Sequence, residues 1–99
     1  MFTAGEKDYA DAILDFIDEN RTIIKHRLYR NHCWKAAPRV YIKDLRIISD
    51  RDMKDIVIVD NSVVSFIFNM DNGVPIADFR GQSNDEELMF MVSYLEDLF

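Results

Sequence analysis

Four side chains stand out by type and by place: Thr3, Lys43, Asp60 and Asn61. Each follows a stretch that reads as a β-strand or its end. Thr3 comes after Met1-Phe2, Lys43 after Val40-Tyr41-Ile42, and the Asp60-Asn61 pair after Ile56-Val57-Ile58-Val59. Open α/β sheets bind ligands just beyond the carboxyl ends of their strands. A hydroxyl, an ammonium and a carboxylate-amide pair at one such edge suit a phosphate and a Mg²⁺ ion. The hydroxyl and the lysine would hold phosphoryl oxygens, and the carboxylate would take the hard cation through oxygen. Plainer readings stand beside these: Thr3 as a helix N-cap, and Asp60-Asn61 as the start of a turn.

Other combinations carry less chemistry. Asp50-Arg51-Asp52 is the one Asp-x-Asp in the chain, but no buried strand precedes it and a solvated turn explains it. Cys33 beside His32, with His26 nearby, does not have zinc-ligand spacing and reads as a buried thiol. As the single cysteine it excludes an intrachain disulfide. Asn20-Arg21-Thr22 fits a glycosylation sequon, but no secretion signal accompanies it.

The elements that must position these groups are short. Thr3 and Glu6 have the spacing of a capping box, and Ala10, Ile13, Leu14 and Ile17 then recur at helical spacing as far as Asn20. Ile23-Ile24 and Arg27-Leu28-Tyr29 read as a short strand, followed by a polar connection through Pro38. The four β-branched residues Ile56–Val59 read as a strand buried on both faces, as in a parallel sheet. Val63–Phe68 fits either a strand or a short helix. Asp71-Asn72-Gly73 signals a turn, and Pro75 makes Val74–Ile76 an edge strand. Ser83 and Glu86 form a second possible capping box, after which Leu88, Met91, Val92, Leu95 and Leu98 make an apolar stripe. Met89 and Phe90 read as further parts of this core-facing helix. Strands alternating with helices predict a three-layer α/β fold with a mainly parallel sheet in a single domain, residues 1–99.

Charge is unevenly distributed. The 99 residues carry 12 bases and 18 acids, a net charge of −6. Yet Arg21, Lys25, Arg27, Arg30, Lys35, Arg39, Lys43 and Arg46 are opposed within residues 21–46 by Asp44 alone. An acidic protein with a basic middle attracts a small anion locally while repelling bulk polyanions, which argues against nucleic acid. The bland alternative is a set of solvated loops and strand ends. Apolar runs such as Ile56–Val59 and Phe66–Phe68 are far shorter than the ~18 residues a membrane span needs. The expected setting is intracellular, nuclear or cytoplasmic, with no membrane partner.

Several spaced motifs resemble one family in order. They are Phe2-Thr3-Ala4 with Tyr9-Ala10-Asp11, Arg27-Leu28-Tyr29-Arg30 with Cys33, and Tyr41-Ile42-Lys43-Asp44-Leu45. Asp52-Met53, Ile56–Asn61, Asn72–Ile76 and Asp85–Leu88 continue the match. The family is the NLI-interacting-factor-like protein phosphatases, which include the small RNA polymerase II C-terminal-domain phosphatases, in the haloacid dehalogenase superfamily. The resemblance implies a haloacid-dehalogenase-like, Rossmann-like sheet, a Mg²⁺ cofactor and phosphoserine or phosphothreonine proteins as substrates. It makes Thr3 the phosphate-binding hydroxyl and Lys43 the lysine that offsets charge on a phosphorylated nucleophile. Asp60 becomes a metal ligand supported by Asn61, and Arg30 the arginine that meets the substrate phosphate. Asn31-His32 departs from the family's usual Glu-Ser, and Gly5 stands where serine is common.

The family's Asp-x-Asp-x-Thr/Val motif, which carries the nucleophile and the general acid, would lie upstream of Met1. Met1-Phe2 thus reads as the tail of a strand, and the 99 residues as a partial catalytic domain lacking the N-terminal central strand. Two expectations follow. The chain by itself lacks turnover and holds Mg²⁺ weakly or not at all, and its open strand edges pair with a second copy, the alternative being that the strands at Thr3 and Ile56–Val59 pair directly within one chain. The reading as a phosphatase and the reading as a non-catalytic module that binds a phosphoprotein or another partner both stay open.

Overall fold

The structure is a computed structural model that describes residues 1–98. Its elements, in chain order, are α1 (Lys7–Ile17), β1 (Trp34–Ala37), β2 (Val40–Ile42), β3 (Ile58–Asp60), β4 (Gly73–Pro75) and α2 (Glu87–Leu98). Short 3-10 turns at Arg30–His32, Leu45–Ile47 and Met53–Asp55 join them, and a longer kinked one spans Val63–Asn72. That last segment settles the ambiguity at Val63–Phe68 in favour of helical turns. Its backbone leaves helical geometry at Phe66 and Asn69.

The class is α/β with short sheets. β1 and β2 pair antiparallel, with Trp34 opposite Ile42 and Lys35 opposite Tyr41. β3 and β4 pair in parallel, with Val59 opposite Val74, so the parallel reading of Ile56–Val59 holds for its second half. Phe2 makes an isolated parallel bridge to Leu28, while Ile23 and Ile24 lie outside the strands. The connection through Pro38 turns out to be a hairpin, because Trp34–Ala37 gains a ladder partner in Val40–Ile42 that its own composition does not announce.

The core is small. Leu45 and Phe66 are each 2% exposed and pack with Ile58, flanked by Ile48, Met53 and Ile56. Gly73 is essential to this packing: a Cβ there would lie 2.1 Å from Cδ2 of the Phe66 ring. Asn72 closes the turn before β4 by donating from its amide to the carbonyls of Met53 (2.7 Å) and Ile56 (2.9 Å).

Neither expected capping box forms. The Thr3 hydroxyl accepts the N–H of Gly5 at 3.0 Å, and α1 starts after Glu6. At α2 it is Asp85 whose carboxylate takes the Glu87 N–H, at 3.0 Å. The α2 stripe is also not a core: no residue of Glu87–Leu98 is buried, and Leu88, Met89 and Phe90 are exposed.

Candidate functional site

Lys43 and Asp60 meet. Lys43 leaves β2 with its backbone N–H bonded to the Ser65 carbonyl at 2.7 Å, which turns its side chain inward. Its ammonium then bonds directly to Oδ2 of Asp60 at the end of β3, across 17 positions of chain. Both residues are buried. The other carboxylate oxygen, Oδ1, accepts the Ser62 N–H at 2.9 Å. A buried charge pair persists only when its remaining polar atoms are also satisfied, and Ser62 does that for Asp60.

Thr3 and Arg30 are linked through the Ala4-Gly5 loop. Thr3 is held by its N–H to the Leu28 carbonyl, 2.9 Å. Arg30 folds back onto the loop just after it: its N–H reaches the Gly5 carbonyl at 3.0 Å and its Nε the Ala4 carbonyl at 2.8 Å. The guanidinium lies 4.8 Å from the centre of the Tyr41 ring, a cation–π contact, and its Nη1 is 3.4 Å from Glu6. Arg30 is thus aimed by a carbonyl and an aromatic plate, while staying partly exposed.

Cys33 sits against the backbone on the Thr3 side. Its Sγ lies 3.7 Å from the Tyr29 carbonyl and 3.9 Å from that of Thr3. Burial pushes its thiol upward from the ordinary value, while the charges of Lys43 and Arg30 pull it down and Asp60 pushes it up. The sequence marked Cys33 only as a buried thiol. Its place beside Thr3 is set by the Arg30–His32 turn, where its N–H bonds to the Arg30 carbonyl at 2.9 Å, whereas the Tyr41 plate under Arg30 lies on β2.

Asn61 turns elsewhere: its amide donates to Oδ1 of Asp78 at 2.8 Å. Asp50, Arg51 and Asp52 are exposed, in keeping with a solvated turn. The oxygens of Asp60 and Asn61 are of the kind Mg²⁺ takes. Asp60 is already engaged at both oxygens. Among the described residues no three His, Cys, Asp or Glu side chains cluster to hold an ion.

The description NLI interacting factor-like phosphatase matches residues 1–99. The chain belongs to that family. It is similar to CTD small phosphatase-like protein 2 of Dictyostelium discoideum, 45% identical over 98 residues, which are 99% of this chain and 17% of that protein. CTD small phosphatase-like protein 3 of Caenorhabditis elegans is 42% identical over 96 residues, 97% of this chain and 33% of that protein. Phosphatase PSR1 of Saccharomyces cerevisiae is 39% identical over 98 residues, 99% of this chain and 22% of that protein. The chain therefore spans a third or less of the length of these relatives. No described helix is long and apolar enough to cross a membrane.

The Leu28 N–H donates to Met1 and its carbonyl accepts from Thr3, so Met1 and Thr3 face Leu28 and Phe2 faces the other way. The Asp60 carbonyl accepts from Ile76, so Ile58 and Asp60 face β4 while Val57 and Val59 face away. Phe2, Val57 and Val59 all line one cavity of about 690 Å³. Among the described residues their backbone groups have no partners.

Proposed function

We propose that this chain supplies the phosphate-holding face of a phosphoserine/phosphothreonine protein phosphatase of the C-terminal-domain type. The observation that carries the reading is the buried Lys43–Asp60 pair, two residues remote in sequence brought into direct contact. Three donors have separate tasks. The Thr3 hydroxyl and the Arg30 guanidinium bind phosphoryl oxygens, and planar guanidinium suits that role because it donates in parallel. Lys43 offsets the negative charge that accumulates on a phosphorylated carboxylate, and Asp60 holds Lys43 in place. Mg²⁺, typical of haloacid-dehalogenase-type phosphatases, would supply further charge neutralisation at the phosphate.

A second reading, a module that binds phosphoprotein without hydrolysing it, is favoured by one observation. Asp60, the carboxylate beside Lys43, is engaged at both oxygens and so is not free to attack phosphorus. The 99 residues by themselves are therefore expected to leave para-nitrophenyl phosphate intact. Turnover that disappears in Asp50→Asn would reverse that expectation. Titration with phosphoserine, followed by NMR, should shift Thr3, Arg30 and Lys43 without added Mg²⁺. Silence at all three would sink both readings. Added millimolar Mg²⁺ alone should barely move Asp60 and Asn61, given the engaged oxygens.

Residues 1–99 act here as one domain inside the cell, either nuclear or cytoplasmic, with a phosphoprotein as partner. The open edges at Phe2 and at Val57–Val59 support assembly with a second copy, since unpaired strand edges recruit further strands. That pairing would extend the short β3–β4 sheet toward the three-layer parallel arrangement. Light scattering at micromolar concentration tests it, and a monomer at all concentrations refutes it.

A further inference from the structure

The basic middle of the chain is mostly spent on internal ion pairs. Arg21 engages Asp15, Arg27 engages Asp11 and Asp15, Lys43 engages Asp60, Arg46 engages Asp44, and Arg30 touches Glu6. Lys25, Lys35 and Arg39 have no ion-pair partner among the described residues, and all three are exposed. Two of these three lie on the β1–β2 hairpin, Arg39 at its tip in a left-handed turn (φ 63°). Lys35 stands opposite Tyr41, the residue whose ring carries the Arg30 guanidinium. Cross-strand partners project to the same face of a ladder, with Cβ atoms about 5 Å apart. Arg30, Tyr41 and Lys35 therefore share one face, and the hairpin itself links the Arg30 turn to Lys43.

We propose that this hairpin reads the sequence around a phosphorylated residue: Lys35 and Arg39 bind anionic side chains that flank the residue whose phosphate Arg30 holds. The proposal rests on the reading of Arg30 as a phosphate contact. A phosphoprotein segment is the occupant because Lys35 shares the face of an arginine aimed for a single phosphate and Arg39 ends the same hairpin, on a chain whose net charge of −6 repels long polyanions. The exposed Trp34, which is the single tryptophan and neighbours Lys35, gives the hairpin its own optical reporter.

Two phosphoserine peptides of equal length, one with glutamate and one with glutamine at the flanking positions, should be titrated against the intact chain by Trp34 fluorescence. Exposed ion pairs of this kind predict that the glutamate peptide binds about threefold to tenfold tighter at low salt, the preference shrinking as salt is added. In Lys35→Ala/Arg39→Ala the preference should fall below about twofold while the glutamine peptide binds as before. Lys35→Glu/Arg39→Glu should invert it. A preference that is absent, or that survives both double variants, overturns the proposal while leaving Arg30-dependent phosphate binding intact. Equal binding of an oligothymidylate of matching charge would instead make the hairpin a nucleic-acid contact and also overturn it. If Arg30→Ala leaves both peptides bound as tightly as before, the underlying phosphate reading fails and the hairpin proposal falls with it.

Discussion

Helices α1 and α2 have similar sequences by pattern and opposite fates in the structure. Both carry apolar residues at helical spacing next to acidic ones. α1 buries Ala10 and Leu14 and is fastened by charge. Its Asp11 accepts from Lys7 (2.8 Å), Arg27 (3.0 Å) and the Tyr29 hydroxyl (2.6 Å). Asp15 takes Arg21 and Arg27, and buried Asp18 accepts the N–H groups of Thr22, Ile23 and Ile24 at 2.8–3.1 Å. α2 has no buried residue. The difference teaches that an apolar stripe licenses burial without providing a surface to bury against. α1 is anchored because the chain that follows it returns with Arg27 and Tyr29 in reach of its acids.

The sharpest way to break this comparison is to truncate equivalent leucines. Leu14→Ala should cost about 2–4 kcal/mol in urea unfolding, the usual range for emptying a buried leucine site. Leu88→Ala, at 71% exposure, should stay within about 0.5 kcal/mol. Equal effects would mean that α2 is docked in solution.

Removing the Asp18 carboxylate should come next in size. Asp18→Ala strands three backbone N–H groups, so the melting temperature should fall and amide exchange should speed up at Thr22, Ile23 and Ile24. The α2 amides should be unchanged. Acceleration across both helices would show that the two regions unfold together.

The smallest effect near neutrality, growing in acid, is that of pH. The lysine, tyrosine and arginine around Asp11 hold its carboxyl well below the ordinary 3.8, Arg21 and Arg27 lower Asp15, and the backbone N–H groups lower Asp18. A carboxyl that is more acidic folded than unfolded contributes stability that is full above the unfolded value and is lost as pH falls through the folded one. Melting temperature should therefore be flat from pH 7 to about 5 and drop below 3.8. The signals of α1 should be lost before those of the Leu45–Phe66 core. A flat profile to pH 2 would mean these carboxylates are not what fastens α1.

Local features were legible in residue order. The helix at α1 and a strand running into Asp60 appear where the residue types place them, although Ile13, Ile17 and Val57 are exposed and Ile56-Val57 lie outside β3, so the run is not buried on both faces. The Ser83–Glu86 box failed for a local reason, since Asp85 stood closer to the first free N–H of α2. Thr3 failed as a cap because its hydroxyl already had the Gly5 N–H. Residue order alone also made Lys43 and Asp60 candidates, by chemistry and by position after an apolar strand.

Tertiary structure decided which candidates meet. Lys43 reaches Asp60 because β2 is tied to the Ser65 carbonyl, and Asn61 is drawn to Asp78 instead. β1 exists because β2 supplies its hydrogen-bond partners, and that pairing puts Tyr41 under Arg30 and Lys35 beside it. The physical reason is the range of the forces involved. Helical spacing and turn chemistry act over a few residues and are written in order along the chain. Ladder pairing, helix docking and the meeting of charges depend on which distant segment arrives at the same place, and no local pattern states that.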